Sequence, residues 1–231
     1  MRSLLTPATM AIMLLCAQAA PPAVLAQPPT IDLELPSEAA DGGNLAVRLT
    51  LPAPATGPRH ADGAPLVVLA PGGHGSGSLG GGSGYAQHGL VAVAFLFPGG
   101  SDGPFHSDGA YDYRGEACQA ALRDVLLFAG GEKDDALGRR VDDIVPFALR
   151  TDLVLLAGLS NGGPISAAVL GTWGLELPFL TAYVGWENPT NSQTVAVEVG
   201  TKRYDCAPEI DGDGNGIPDD DGKNPYLTGY S

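Results

Sequence analysis

The sequence has few basic residues, few cysteines and, after its first 26 residues, no apolar run long enough to cross a bilayer. Twelve Lys and Arg stand against 26 Asp and Glu, which gives a formal net charge of −14. A nucleic-acid surface needs clustered Lys and Arg, so partners of that class are excluded. Past the first segment only Cys118 and Cys206 remain, and their separation in sequence leaves open whether they pair.

The first 26 residues have the pattern of a secretory signal peptide. Met1-Arg2 gives a positive start, Met10 to Ala17 is an apolar core too short for a bilayer, and Val24 and Ala26 are small residues at the cleavage positions. A short membrane anchor is the weaker alternative, because prolines follow the apolar core at once. We therefore expect a secreted or periplasmic protein with no membrane segment after processing.

The rest of the chain alternates apolar runs, glycine-rich turns and one amphipathic stretch. Nearly continuous apolar runs are typical of strands buried on both faces of a parallel sheet, and "NLAVRLTL" alternates as a half-exposed strand does. The segment "GEACQAALRDVLLFAGG" has helical spacing and ends in glycines suited to a C-cap. The order predicts an α/β three-layer sandwich with a mostly parallel sheet. The predicted strands are 44–51, 65–70, 89–97, 152–157 and 179–184.

The segment "GLSNG" matches the G-x-S-x-G pattern, with an apolar strand before it and a helix-compatible stretch after it. A sharp strand-to-helix turn holds such a serine in a strained conformation and exposes its hydroxyl. Glycine is needed two residues to either side, here Gly158 and Gly162, because side chains would collide there. We interpret Ser160 as a nucleophile and the Asn161 amide as a donor to a developing oxyanion. A serine in an ordinary tight turn is the alternative.

From Asn44 to Val184 the chain resembles the α/β-hydrolase family. Three segments carry the resemblance: the "GLSNG" turn, "VVLAPGGHGSG" and "YDYRGEACQAALRDVLLFAGG". It implies a secreted esterase-like or peptidase-like serine hydrolase that acts on a small-molecule ester or a peptide-like substrate. The family forms its oxyanion hole from the amide after the nucleophile and one from the glycine loop. Here these are Asn161 and a residue of the glycine loop, with Gly73 and His74 as the candidates.

The same loop permits a rival interpretation, because "GSGSLG" matches the G-x-G-x-x-G fingerprint of dinucleotide sites. The following "GGGSGYAQHG" is a poor helix start, and the next strand ends in "FPGG" rather than at an acid placed for a ribose. We therefore expect no organic cofactor.

The sequence contains no histidine after Ser160 that could act as its base. All four histidines, at positions 60, 74, 88 and 106, precede the serine, whereas the family order is serine, acid, histidine. His106 as the base would break that order. We expect a chain that is incomplete at its C-terminal end, so that residues 1–231 alone are a poor catalyst. Glu187 follows the first strand after the nucleophile and is a candidate acid; a loop acid or a substrate contact is the alternative.

The acidic segment "DGDGNGIPDDDG" spaces oxygen ligands as a hard cation such as calcium requires. Glycine stands where an EF-hand has its bidentate Glu, and the segment looks more like thrombospondin type 3 repeats. We predict a structural calcium site; a solvated acidic loop is the alternative. The candidate ligands are Asp211, Asp213, Asn215, Ile217, Asp219 and Asp221.

The sequence thus predicts a signal peptide over 1–26, an α/β-hydrolase core over 27–204 and an acidic calcium-binding insertion over 205–231. The predicted activity is hydrolysis of an ester or amide through an acyl-enzyme on Ser160. The alternative is a non-catalytic extracellular protein that binds calcium on a hydrolase-like scaffold. Oligomeric state and substrate identity are left open.

Overall fold

The computed structural model describes residues 27–52, 60–73 and 75–188 of the protein. The predicted signal peptide and acidic insertion lie outside these residues, so the division of the chain into three segments stays a prediction. Among the described residues eight strands are present. They are β1 (Thr30–Pro36), β2 (Asn44–Thr50), β3 (Ala64–Ala70), β4 (Val91–Phe95), β5 (Ser101–Asp102), β6 (Phe105–His106), β7 (Leu149–Leu159) and β8 (Leu180–Trp186).

Six of these strands form one sheet in the order β1-β2-β4-β3-β7-β8. The pairs β1–β2 and β2–β4 are antiparallel, and the three pairs from β4 to β8 are parallel. The mostly parallel sheet predicted from the apolar runs is confirmed, and each predicted run is a strand. The bounds differ most for β7, which extends beyond its apolar centre because its ends pair with β3 and β8.

Four α-helices lie beside this sheet in the described part of the chain. They are α1 (Ser83–Gln87), α2 (Glu116–Ala129), α3 (Val141–Ile144) and α4 (Gly162–Trp173). Alternate residues of β4 show the layers: Val91, Val93 and Phe95 pack in the core formed with α2. A side chain at Gly82, just before α1, would instead meet Ala92 on the opposite face. The sheet therefore lies between two helical layers, and the predicted sandwich is confirmed.

Strand β1, the β5–β6 hairpin and the short helices α1 and α3 were not predicted. Strand β1 pairs along its whole length with β2, and its burial alternates weakly because it forms the edge of the sheet. The short β5–β6 hairpin carries no apolar pattern. Helix α1 forms in a glycine-rich stretch that disfavours helix, but it extends over only five residues. The hairpin strands and the two helices that were missed are all short, while β1 depends on pairing with β2.

No helix in the described ranges combines the length and apolar character needed to cross a membrane.

Candidate active site

Ser160 occupies a strained turn between β7 and α4. Its φ is 51°, a left-handed value that costs energy for a residue with a side chain. Its backbone N–H donates to the Trp186 carbonyl at 2.8 Å, and its carbonyl accepts from Gly163 N–H at 2.9 Å. The turn is thus fixed at one side by β8 and at the other by the first turn of α4.

The glycines on either side of Ser160 are required by close backbone contacts. A Cβ at Gly158 would lie 2.7 Å from the Gly162 carbonyl oxygen, so the strand and the helix start could not approach as they do. A Cβ at Gly162 would overlap the carbonyl oxygen of Ala70 at the end of β3. Gly158 and Gly162 are needed for the reason that the G-x-S-x-G spacing suggests: both positions lack room for any side chain.

Asn188 reinforces this turn from beyond the end of β8. With its amide oriented so that its oxygen accepts from the Tyr183 hydroxyl at 2.9 Å, its nitrogen lies 3.1 Å from the Gly158 carbonyl and 3.2 Å from the Ser160 carbonyl. A side chain at Gly163 would collide with this amide. Sequence reasoning missed Asn188, because no local pattern marks a side chain that bonds to backbone brought near by the sheet.

The glycine loop after β3 lies against the serine turn. A Cβ at Gly72 would overlap the Leu159 carbonyl oxygen, so the loop packs directly on the residue before Ser160. Gly73 has a φ of 69° and open space around it. The buried side chain of Asn161 donates to the Gly73 carbonyl at 2.9 Å. The structure therefore brings together Ser160, Asn161 and Gly73, while His74 lies outside the described residues.

Asn161 precedes α4 and adopts helical dihedral angles, with φ −61° and ψ −14°. The first N–H groups of a helix have no partner within the helix, and together they favour negative charge. In α4 the Gly163 N–H donates to the Ser160 carbonyl and Pro164 has no N–H. The amides of Asn161 and Gly162 are therefore the remaining donors directly after Ser160. This arrangement suits the binding of an oxyanion that forms on a substrate carbonyl.

Arg114 lies behind the glycine loop and was not predicted from the sequence. Its guanidinium donates to the carbonyl oxygens of Pro71 at 3.1 Å and Gly72 at 3.3 Å. The residue is only 1% exposed, and burial lowers the pKa of its guanidinium, with the Tyr111 hydroxyl opposing that shift. Arginine nevertheless stays protonated in proteins. The sequence offers no signal for this role beyond a single Arg in "YDYRGE".

The later part of the loop is fixed by Asp102 in the β5–β6 hairpin. Its carboxylate accepts from Leu79 N–H at 2.8 Å and from the Ser78 hydroxyl at 3.0 Å. These two hydrogen bonds, the backbone one first, lower the pKa of Asp102. The carboxylate therefore stays ionised at neutral pH and ties the hairpin to the loop.

The described histidines occupy other parts of the fold. His88 follows α1 and its backbone N–H bonds to the end of that helix, and His60 opens the segment before β3. His106 is in β6, where its Nδ1 lies 3.1 Å from the Ser101 hydroxyl. No side chain within residues 27–52, 60–73 and 75–188 hydrogen-bonds the Ser160 hydroxyl. Glu187 directly follows β8, is exposed, and has a strained φ of 53°.

A cavity of about 540 Å³ lies beside the serine turn on the α1 side of the sheet. Its lining is mainly apolar and includes Leu69, Tyr85, Ala157, Leu159, Val184 and Trp186, with Gly72 and Gly158 at the end nearest the turn. Leu159 and Trp186 are 53% and 66% exposed. Among the described residues, α1 and the glycine loop lie beside this cavity, and Phe105 of the β5–β6 hairpin packs on the same sheet face at Ala46.

The predicted metal ligands between Asp211 and Asp221 lie outside the described residues. Within the described ranges no group of three or more His, Cys, Asp or Glu side chains could hold a metal ion. Cys118 is fully buried in the core, where burial first and then Asp112 raise the pKa of its thiol. Cys206 lies outside the described residues, so the pairing of the two cysteines is still open.

The described fold is similar to solved structures of esterases and related proteins. Esterase Est22 aligns with a TM-score of 0.50 and 16% identity over 77% of this chain and 53% of its own. Carboxyl esterase 2 from the fungus Tuber melanosporum aligns with a TM-score of 0.44 and 18% identity, over 76% of this chain and 49% of its own. Vibralactone cyclase aligns with a TM-score of 0.46 and 19% identity, over 72% of this chain and 45% of its own.

Neither a comparison with protein-family models nor a search of curated proteins found a match. The chain spans about half the length of the solved structures it resembles. At this level of identity the similarity to Est22 concerns the fold alone. Together with the strand order, it shows that the chain has the α/β fold of the α/β hydrolases.

Proposed function

We propose that the protein is a serine hydrolase that cleaves a small carboxylic ester through an acyl-enzyme on Ser160. The observation that carries the proposal is the position of Ser160. It has a left-handed φ of 51° in a turn between a strand and a helix, and Asn161 joins that turn to the glycine loop. Residues strained in this way are concentrated at active sites and ligand-binding sites.

The geometry supports the following reaction. The Ser160 hydroxyl oxygen attacks the ester carbonyl carbon, and its proton passes to a base. The carbonyl oxygen becomes an oxyanion that accepts from the backbone amide of Asn161 and from one in the loop at Gly73. The C–O bond to the alcohol then breaks, the alcohol takes the proton, and water hydrolyses the acyl-enzyme.

The base belongs, in this proposal, to a histidine outside the described residues, because no described side chain bonds the Ser160 hydroxyl. A histidine after the acid is the arrangement that the family resemblance implies. We propose Glu187 as the acid, since it directly follows the strand that bonds Ser160.

We propose an ester rather than an amide as the substrate, because Est22, whose fold this chain resembles, is an esterase by name. The apolar cavity beside the turn is consistent with an uncharged substrate. We further propose that residues 1–26 direct the protein out of the cytoplasm. The acidic segment 205–231 then binds calcium as a structural ion.

Hydrolysis of p-nitrophenyl acetate by protein expressed from its complete open reading frame tests this proposal. We expect turnover that Ser160→Ala lowers by at least about 10³-fold, since the nucleophile acts as one unit with its base. Ser101→Ala is the matched control, because Ser101 contacts a histidine but lies on the β5–β6 hairpin. Turnover unchanged by Ser160→Ala would overturn the proposal. Calcium binding without any turnover would favour the non-catalytic alternative.

A further inference from the structure

The buried Arg114 has surroundings that hold its guanidinium in one place. The guanidinium carbon lies 5.7 Å from the centre of the Phe97 ring, and one nitrogen donates to the Tyr111 hydroxyl at 3.1 Å. Its backbone has a φ of 63°, a strained value two residues before α2 begins. Burying a charge is costly unless its donors are satisfied, so the contacts of Arg114 must repay that cost.

The guanidinium of Arg114 also contacts the glycine loop. The other terminal nitrogen of Arg114, Nη2, lies 3.1 Å from the Pro71 carbonyl oxygen and 3.3 Å from the Gly72 carbonyl oxygen. A trans peptide is planar, with its N–H pointing opposite to its C=O. An arginine that fixes the Gly72 carbonyl therefore also fixes the direction of the Gly73 N–H, which points away from the guanidinium.

The next carbonyl of the loop is held from the other side of the site. Gly73 O accepts from the Asn161 side chain, so three successive carbonyls are held, two by Arg114 and one by Asn161. Gly73 has a φ of 69° and would otherwise be free to rotate, because glycine tolerates many backbone conformations. The orientation of this loop depends on side chains that do not themselves need to contact the substrate.

We propose that Arg114 is a positioning residue, which acts through the Pro71 and Gly72 carbonyls to aim the Gly73 amide at the oxyanion of the reaction. The proposal rests on the proposed hydrolase function. Oxyanion donors contribute only when they are preorganised, and a shift of about 1 Å costs on the order of 10²-fold in rate. A merely structural arginine would change stability without this selective effect on kcat.

The test compares Arg114→Met with Arg123→Met in the complete protein. Arg123 is the matched control, because it also lies over an aromatic ring, Trp173 at 5.9 Å, but its hydrogen bonds are to Glu176. The first readout is kcat and KM with p-nitrophenyl acetate. The second is the heteronuclear NOE of the Gly72 and Gly73 amides in ¹⁵N-glycine-labelled protein, which reports loop order without any activity.

We expect Arg114→Met to lower kcat about 10²-fold with KM within about threefold, and to lower the NOE at Gly72 and Gly73 but not at Gly171. Arg114→Lys, which keeps the charge but presents no planar fork, should restore part of kcat. If Arg114→Met and Arg123→Met match in both readouts, the proposal is wrong.

Two further outcomes are decided by the same design. If the wild-type protein shows no Ser160-dependent turnover, the hydrolase function fails, and the NOE alone decides whether Arg114 orders the loop. If Arg114→Met does not fold, Arg114→Gln replaces it, because glutamine keeps a polar end but is shorter than arginine and carries no charge. Wild-type kcat and NOE values in that variant would contradict the proposal.

Discussion

The side-chain nitrogen of Asn161 lies 2.9 Å from the carbonyl oxygen of Gly73 and joins two segments that are 88 residues apart in sequence. One segment carries the candidate nucleophile and the other the candidate oxyanion loop. Asn161 is only 8% exposed, so this hydrogen bond is made out of water, where its loss costs more.

The first prediction concerns this hydrogen bond. Asn161→Ala removes the donor but keeps the backbone amide, and we expect kcat on p-nitrophenyl acetate to fall about tenfold. Asn161→Asp has nearly the same shape but sets a carboxylate against the Gly73 carbonyl and beside the developing oxyanion. We expect a further loss of at least about tenfold, which corresponds to about 1.4 kcal/mol of lost transition-state stabilisation. Equal kcat values for the Asp variant and the wild type would refute this role.

The second prediction compares two glycines of the same helix. A methyl group at Gly162 overlaps the Ala70 carbonyl, whereas nothing lies within 4 Å of one at Gly171. Gly162→Ala should lower the free energy of unfolding by about 1–3 kcal/mol. Gly171→Ala should raise it by about 0.5–1 kcal/mol, because alanine favours helix. Denaturant titrations measure both, and a neutral Gly162→Ala would show that the turn relaxes without cost.

The third prediction is a pH dependence of stability at Asp135. Burial alone would raise the pKa of this carboxyl, but the Arg139 side chain at 2.6 Å and the amides of Arg139 and Leu137 lower it below 3.8. A depressed pKa stabilises the fold above the unfolded value, and that stability is lost as pH falls through the folded value. Asp135→Asn should therefore cost about 1–3 kcal/mol at pH 7 and progressively less below pH 3.8.

Unfolding titrations at several pH values check this result. The control is Asp152→Asn, which removes a similar but exposed pair with Arg150. Solvent screens that pair, so the control should change stability little at any pH. A cost of Asp135→Asn that stays constant down to acidic pH would contradict the assignment.

The features that could be predicted are those whose residues lie close together in the sequence, and the features that were missed depend on contacts between distant segments. The serine turn was readable because its strain, its two glycines and its flanking strand and helix all lie within Leu149–Trp173. Arg114 and Asn188 were not readable, because each bonds backbone that only the sheet brings near. Strand β1 was missed for a similar reason: its pairing with β2, rather than its own sequence, defines it.

The fourth prediction concerns the acidic segment. Its alternating oxygen ligands lead us to expect calcium binding by isothermal titration calorimetry. Asp211→Ala combined with Asp213→Ala removes two ligands and should abolish that binding. The wild-type melting temperature should rise with calcium, because an ion that binds only the folded state stabilises it. Binding that the double variant leaves unchanged would place the ion elsewhere, and a wild-type protein that binds no calcium would refute the site.

The central claim is that Ser160 is a nucleophile, and covalent labelling tests it most directly. The complete protein is treated with a fluorophosphonate, digested and analysed by peptide mass spectrometry. We predict a single adduct on the peptide that contains Ser160, absent from Ser160→Ala and retained in Ser101→Ala. An unlabelled protein, or an adduct that persists in Ser160→Ala, would contradict the claim.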